Sequence, residues 1–374
     1  MFRRLNRRIQ DFLREKRLKI GKILFDRKVR LKLIAGENFI IKNNINSILF
    51  LRYDGKIGDM VVNTFMFREI KKRYPNIKIG VVARGQNKKI IENNPFVDII
   101  YDYNKKSVCN LAEKIRKDRY DLLIDFSEVL KVKQMMFINK CKCRFNIGLD
   151  KRDWQLFDIS INSNEDFYWT DHITERYCAY LKKIGIIGNI NSEYDIYNDE
   201  NTKKFDYILY SNGVVKDYIV INPYGASNHK SFNLRTLEKL ILFLQSYNLN
   251  IILLYYGDKI KELYQLSQLK NVIIPREISS INDSIYLISN SKLVITPDTS
   301  IVHIASALKK SGIAVYPPNG GQYGVDHIVW APNYKDMTVI FCEDKKSKYD
   351  EIDINTFDMK EMEQFIVEKI EFKK

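Results

Sequence analysis

The stretch that most restricts what this chain can become is Ser291-Lys-Leu-Val-Ile-Thr-Pro-Asp-Thr-Ser-Ile-Val-His-Ile-Ala-Ser-Ala-Leu308. Leu293, Val294 and Ile295 form a short apolar run, the mark of a strand covered on both faces, and Pro297 ends it because proline cannot donate to a ladder. Asp298 or Thr299 then caps a helix in which Ile301, Ile304, Ala305 and Leu308 recur at helical spacing, leaving Ser300, His303 and Ala307 on the other face. A helix that opens at the carboxyl end of a buried strand aims unpaired N–H groups and the positive end of its dipole outward, which suits a diphosphate. Asp-Thr-Ser is equally a good capping cluster with no ligand, so the rest of the chain has to decide.

The same strand-turn-helix grammar recurs along the sequence. Ser47 to Tyr53 reads as a buried strand, followed by the turn Asp54-Gly-Lys-Ile-Gly-Asp59 and a helix from about Met60 to Arg73. Strands at 77–82, 97–101 and 121–126 alternate with helices at 88–93 and 108–118, which implies a parallel sheet with right-handed crossovers. Between 127 and 212 the pattern weakens to a strand at 143–148 and helices at 172–184 and 198–210. Alternation then restarts, with strands at 218–222, 250–255, 272–274 and 312–316 and helices at 235–247, 259–269 and 282–289. At 374 residues and 45% hydrophobic content the chain can bury two ordinary cores. The reading is an α/β chain of two tandem halves: an arm at 1–40, a first domain at 41–212, a second at 213–350, and a terminal helix at 351–374 able to pack back on the first.

Charge is concentrated at the start. Residues 1–32 hold 13 Lys/Arg against 3 Asp/Glu, so this segment carries +10 of the net +15. Phe2, Leu5, Ile9, Phe12, Leu13, Ile20, Ile23 and Leu24 fall mostly three or four apart among those cations, which predicts a basic amphipathic helix able to lie on an anionic membrane. The competing use is packing of the apolar stripe on its own domain. Nucleic acid is not expected, because the nearly balanced body offers no basic surface to extend the arm. No apolar run reaches the roughly 20 residues of a spanning helix. The five cysteines lack Cys-x-x-Cys spacing, which argues against a disulfide framework or zinc site and suits a reducing cytoplasm. The location expected is the cytoplasm, peripheral on the inner face of the membrane.

In open α/β sheets ligands sit beyond the carboxyl ends of strands, so each strand-to-helix turn is a candidate. In Asp54–Asp59 two glycines allow backbone to approach a ligand, and Asp59 stands at the helix mouth as either cap or base. Asn222-Pro-Tyr-Gly-Ala-Ser-Asn-His-Lys-Ser231 offers Gly225, Ser227 and Lys230, a point charge suited to phosphate. Asp258, after the next strand, could take ribose hydroxyls, with Glu262 as competitor. Pro317-Pro-Asn-Gly-Gly321 follows the last strand. Arg52, Lys56, Asp125, Glu128 and His172 are candidates for an acceptor in the first half. No Asp-x-Asp pair or histidine cluster marks a metal, so no obligatory metal or cofactor is expected.

Three segments in order, Ile48–Val61, Asn222–Lys230 and Thr296–Ala307, resemble glycosyltransferase family 9, the bacterial lipopolysaccharide heptosyltransferases. The likeness spans roughly residues 45–345. It implies the GT-B fold, two Rossmann-like domains facing across a cleft, with the sugar nucleotide held mainly by the second. By the same resemblance Asp59 matches the catalytic base, Lys230 the lysine on the donor phosphates, and Asp298, Thr299 and His303 the donor-binding turn. It further implies inverting transfer of heptose from ADP-heptose to the inner core of a lipid-anchored, anionic saccharide. Another nucleotide sugar, serving capsule or protein glycosylation, is the alternative. Two departures bear on the donor sugar: Ser300 stands where the family usually has glycine, and Pro-Pro-Asn-Gly-Gly where it usually has Gly-Pro-Thr.

Overall fold

A computed structural model describes residues 2–197, 204–211, 213–214, 217–320, 324–344 and 352–371, with the side chains of 2–9, 11, 12 and 204 outside the description. The strands of the first domain are β1 (Ser47–Arg52), β2 (Lys78–Ala83), β3 (Ile99–Asp102), β4 (Leu122–Asp125), β5 (Phe145–Leu149) and β6 (Ile159–Ile161). Those of the second are β7 (Tyr218–Ile221), β8 (Asn250–Leu253), β9 (Val272–Ile273), β10 (Leu293–Pro297), β11 (Gly312–Tyr316) and β12 (Met337–Phe341). The helices are α1 (Phe2–Phe25), α2 (Phe39–Lys42), α3 (Ile57–Arg73), α4 (Val108–Asp118), α5 (Val132–Cys141), α6 (Ile173–Lys183) and α7 (Lys204–Ser211). They continue with α8 (Leu234–Gln245), α9 (Ile260–Leu263), α10 (Ile281–Ser289), α11 (Ser300–Ala307), α12 (Asp326–Val329) and α13 (Met359–Glu371).

Both sheets are parallel and share one topology. The first runs β3-β2-β1-β4-β5-β6, and the second, read in the same sense, β9-β8-β7-β10-β11-β12. Strand order therefore reverses between β1 and β4 in one domain and between β7 and β10 in the other, the crevices where open α/β sheets bind ligands. The continuous apolar runs explain the central strands: every residue of β1 and of β10 is buried. One hydrophobic cluster passes through the whole molecule, from Ile48 and Phe50 of β1 through Phe65 of α3 and Ile301 and Ile304 of α11 to Val294 of β10.

Several sequence expectations change. Strands β6 and β12 and helix α5 are added; each is short or weakly periodic and leans on tertiary contacts. The helix expected at 259–269 is α9 flanked by 3-10 turns. Helix α7 stacks Phe205 on Tyr286 of α10, and Tyr286 donates to Asp206, so it packs with the second domain and the boundary precedes residue 204. The start of that expected helix, Asn198, lies outside the described residues. Helix α13 forms within the expected terminal segment, at Met359–Glu371, but packs on the second domain rather than the first. Met362, Ile366 and Ile370 are buried against Ile313 and Ile340 of β11 and β12, because its apolar stripe completes the second core.

The basic arm is partly docked. Gly21 of α1 lies so close to α5 that a Cβ there would come within 2.7 Å of Val132 Cγ2. Around that contact Asn139 donates to the carbonyls of Phe25 and Arg27, Asp26 accepts from the N–H of Leu156, and Lys28 pairs with Asp158. Leu18 and Phe25 face the first-domain core, while Leu13, Ile20, Ile23 and Leu24 stay exposed. Gly21→Leu should therefore release α1 from α5, raising protease cleavage within residues 1–30, at a cost of about 1–3 kcal/mol for overpacking. An unchanged cleavage pattern would show that the seam does not hold the helix.

Candidate active site

The geometry begins at Arg52, the last residue of β1. Its guanidinium is buried, at 2% exposure, and donates to Asp59 Oδ1 at 2.6 Å, Asp54 Oδ2 at 2.7 Å and the Tyr177 hydroxyl at 3.0 Å. Burial opposes its charge, but Tyr177, Asp59 and Asp54 outweigh that, and the pKa is raised. Gly55, at φ +80°, turns the chain between these carboxylates. Helix α3 starts earlier than expected, with Lys56 at the N-cap position and no side-chain capping bond. Asp59 is thus not the cap. It sits in the first turn with one oxygen on Arg52 and the other 3.9 Å from Lys56 Nζ.

Gly58 serves a different purpose from the one expected. A Cβ there would meet His303 Cδ2 at 2.9 Å and Ser300 Cα at 3.5 Å, so this glycine lets α3 press against α11 across the domain boundary rather than against a ligand. His303 is accordingly buried between the domains, with Tyr194 and Trp330 rings around it. It is not among the residues lining the cavity between the domains, contrary to its expected place in the donor-binding turn. Desolvation lowers its pKa to about 4, against a weaker pull from Asp59, and its Nδ1 has no partner.

In the second domain Thr299 is the cap of α11, its hydroxyl accepting from the N–H of Ile301. Asn222 at the end of β7 donates to the hydroxyls of Thr296 and Thr299, tying the two switch-point strands together. A cavity of ≈ 680 Å³ opens here, lined by Gly225 after β7, Gly257 after β8, Ser280 before α10, and Asp298, Thr299 and Ser300 after β10. Gly55, Ile57 and Gln86 close it from the first domain. Gly225 is required by its own loop, since a Cβ would lie 2.0 Å from the Lys230 carbonyl. A smaller pocket of ≈ 130 Å³ adjoins at Asp298 and holds Lys230, His229 and Gly320. Lys230 Nζ stands 3.7 Å from Asp298 Oδ2, and burial raises the Asp298 pKa against the pull of that lysine. Ser227 sits just outside, bonded to His229. The described loop after β11 ends at Gly320; Gly321 lies outside it.

Other expected residues fall elsewhere. Asp258 projects into solvent, 94% exposed beside Lys261, and Glu262 pairs with Lys259, so neither carboxylate lines the cavity. Asp125 is completely buried, its carboxylate on the Tyr53 and Ser127 hydroxyls, and is closed to a saccharide. Arg52, engaged through both terminal nitrogens, positions Asp59 rather than meeting an acceptor. His172 caps α6 and bridges to the Ala331 carbonyl of the second domain at 3.1 Å. Glu128 is exposed, 3.5 Å from Arg176. Tyr224, Tyr255 and Tyr256, which follow the ends of β7 and β8, give the cavity an aromatic wall that the sequence analysis did not single out. Their position just past strand ends was the available signal.

These two facing Rossmann-like halves, with a ligand-sized cavity between their switch points, agree with comparison to known proteins. The sequence model described as "Glycosyltransferase family 9 (heptosyltransferase)" matches residues 108–352. The chain belongs to that family. It is a glycosyltransferase. Lipopolysaccharide heptosyltransferase 3 of Escherichia coli strain K12 is 23% identical over 318 residues, covering 78% of this chain and 90% of the relative. The family 9 glycosyltransferase of Veillonella parvula superposes with a TM-score of 0.72 at 14% identity, covering 91% of this chain and 98% of that one. The E. coli ADP-heptose lipopolysaccharide heptosyltransferase II gives 0.68 at 17% identity, covering 87% and 97%. The fold shared with these structures is GT-B.

His303 provides a pH test of the domain seam. Its pKa of about 4 lies below the ordinary 6.5, so the unfolded chain binds more protons between those values. Stability from this residue is complete above pH 6.5 and is lost as pH falls towards 4, by on the order of 3 kcal/mol. Unfolding curves for His303→Gln should therefore fall less steeply than the parent's across that window. Parallel curves would place the acid sensitivity elsewhere.

Proposed function

We propose that the enzyme transfers heptose from ADP-heptose, with inversion, to the core saccharide of a lipid-anchored acceptor. The observation that carries this reading is the position of Asp59: a first-domain carboxylate fixed by buried Arg52, next to Gly58, which packs on Ser300 and His303 of α11 in the second domain. The nucleoside occupies the larger cavity against the tyrosine wall, which offers a purine face flat apolar contact. The diphosphate meets Lys230 and the N–H groups opening α11, and Asp298 accepts from sugar hydroxyls in the pocket the two share. Asp59 takes the acceptor proton as its oxygen attacks the anomeric carbon from the side opposite the leaving diphosphate. Lys230 and the helix end stabilise the charge that develops on ADP, so no obligatory metal is invoked. Names of the relatives, lipopolysaccharide heptosyltransferases, support the sugar and the acceptor class.

The test is a panel of sugar nucleotides with nucleoside diphosphate release and product anomer as readouts. ADP-heptose should be turned over fastest, in the presence of EDTA, with an inverted product. Asp59→Asn should keep donor affinity while turnover drops roughly 10²- to 10⁴-fold, the usual range for loss of a general base. Preference for another nucleotide sugar would move the enzyme to capsule or protein glycosylation, and an Asp59→Asn rate within a few-fold of the parent would remove the base assignment.

The arm brings the enzyme to the inner face of the membrane in this reading. Support comes from its +10 charge and from Leu13, Ile20, Ile23 and Leu24, which remain 45–65% exposed after α1 docks. No described helix is long and apolar enough to cross a membrane. Co-sedimentation with vesicles containing anionic lipid should weaken for Ile23→Glu and at raised salt; retention of full binding under both conditions would make the arm purely structural.

A further inference from the structure

A second groove, of ≈ 890 Å³, lies between α1 and the carboxyl edge of the first sheet. It takes in Asp54 and Lys56 of the turn that carries Asp59, whereas Gly55 and Ile57 of the same turn line the cavity between the domains. Its lining is cationic: Arg17, Lys56, Arg84, Lys105, Lys131 and Lys133 against the single carboxylate of Asp54, already bound to Arg52. Of those six only Lys56 has a carboxylate within 4 Å among the described residues. One wall is apolar. Ile20 and Leu24 face Val132 there, and with Leu13 they follow helical spacing along one stripe of α1, each about half exposed.

Six cations around one groove repel one another, and their summed field attracts an anion to the space between them. An apolar stripe running out of the same groove calls for the lipid end of that anion. We propose that α1 completes the acceptor site: the groove takes a phosphorylated, lipid-linked saccharide, its phosphates among Arg17, Lys105, Lys131 and Lys133 and its acyl chains along Leu13, Ile20 and Leu24. The arm thus selects the acceptor in addition to meeting the membrane. Lys56, at the junction, lies between the bound phosphates and Asp59. This inference rests on the reading of Asp59 as the acceptor-side base, and α1 precedes the part of the chain matched by the family model.

The test is a calorimetric titration of the full chain, without donor, with a deacylated lipopolysaccharide saccharide carrying its phosphates and with the same saccharide after phosphatase treatment. The parent should bind the phosphorylated form, and phosphate removal or the double variant Lys105→Glu/Lys133→Glu should weaken binding roughly tenfold or more, each surface charge being worth several-fold. ADP-sugar affinity and melting temperature should stay as in the parent. Ile20→Ser/Leu24→Ser should leave the deacylated saccharide unaffected and weaken the acylated one. Equal binding of the phosphorylated saccharide by parent and charge-reversed protein overturns the proposal. Because no donor is present, loss of saccharide binding in that variant with no transfer from any sugar nucleotide would remove the proposed reaction and leave the groove standing.

Discussion

The close approach of α3 and α11 at Gly58 is the contact on which the rest of the site depends. Each helix follows a central strand of its own sheet, and each begins at its sheet's switch point. Packing their first turns together therefore sets the two crevices mouth to mouth. A side chain at position 58 would press on the buried His303 ring of the other domain, at 2.9 Å from its Cδ2. The buried, neutral His303 fills the seam that glycine leaves, and His172 adds a polar tie to Ala331 nearby. In the proposed reaction the two crevices act as one site, with Asp59 on the first domain and Lys230 on the second.

Holding that carboxylate is a separate problem, solved inside the first domain. A lone acid in the first turn of a helix gains from the dipole but keeps rotamer freedom. Arg52 removes the freedom, because its guanidinium is itself fixed by Tyr177, by Asp54 and by the Phe126 ring 5.0 Å away. Burying an arginine is tolerable when its charge is paired. Asp54 and Asp59 supply that pairing, and the same guanidinium holds Asp59 in place. Deeper in the domain, Asp125 and Lys151 are likewise buried, and burial raises the pKa of the acid and lowers that of the base. Lys151 donates to the carbonyls of Ser127 and Glu128, and Asp125 accepts from Tyr53, so this pair shapes the loop after β4 without reaching a substrate.

What could be read from the sequence was whatever is local. The Asp54–Asp59 turn, the Asn222–Lys230 loop and the Thr296–Ala307 corner each carry their geometry within a dozen residues, through glycine, proline and capping chemistry. Both Rossmann-like halves followed from strand-helix alternation for the same reason. Errors came where the outcome depends on what a residue meets from far along the chain. His303 looks solvent-facing on a helical wheel because the wheel has no second domain to cover it. Asp125 reads as a loop acid because its burying partners, Tyr53 and Lys151, are distant in sequence. Strand β12 and helix α13 complete the second core with patterns too short to specify a destination.

The two halves of the reaction differ in legibility on the same principle. Phosphate and nucleotide recognition reuses backbone features, helix ends and tight turns, that any chain must build from a few residue types in fixed order. An acceptor groove has no such obligatory backbone. Here it is assembled from α1, the turn after β1, the loops after β2 and β3, and α5, segments brought together only by the fold, and its chemistry is a sum of side-chain charges scattered over more than a hundred residues. Charge counting along the chain saw the cations of the arm but not that Lys105, Lys131 and Lys133 join them. The arm's docking through Gly21 is what converts a basic amphipathic helix into a wall, and one glycine opposite Val132 carries no sequence signal until α5 is known to lie there.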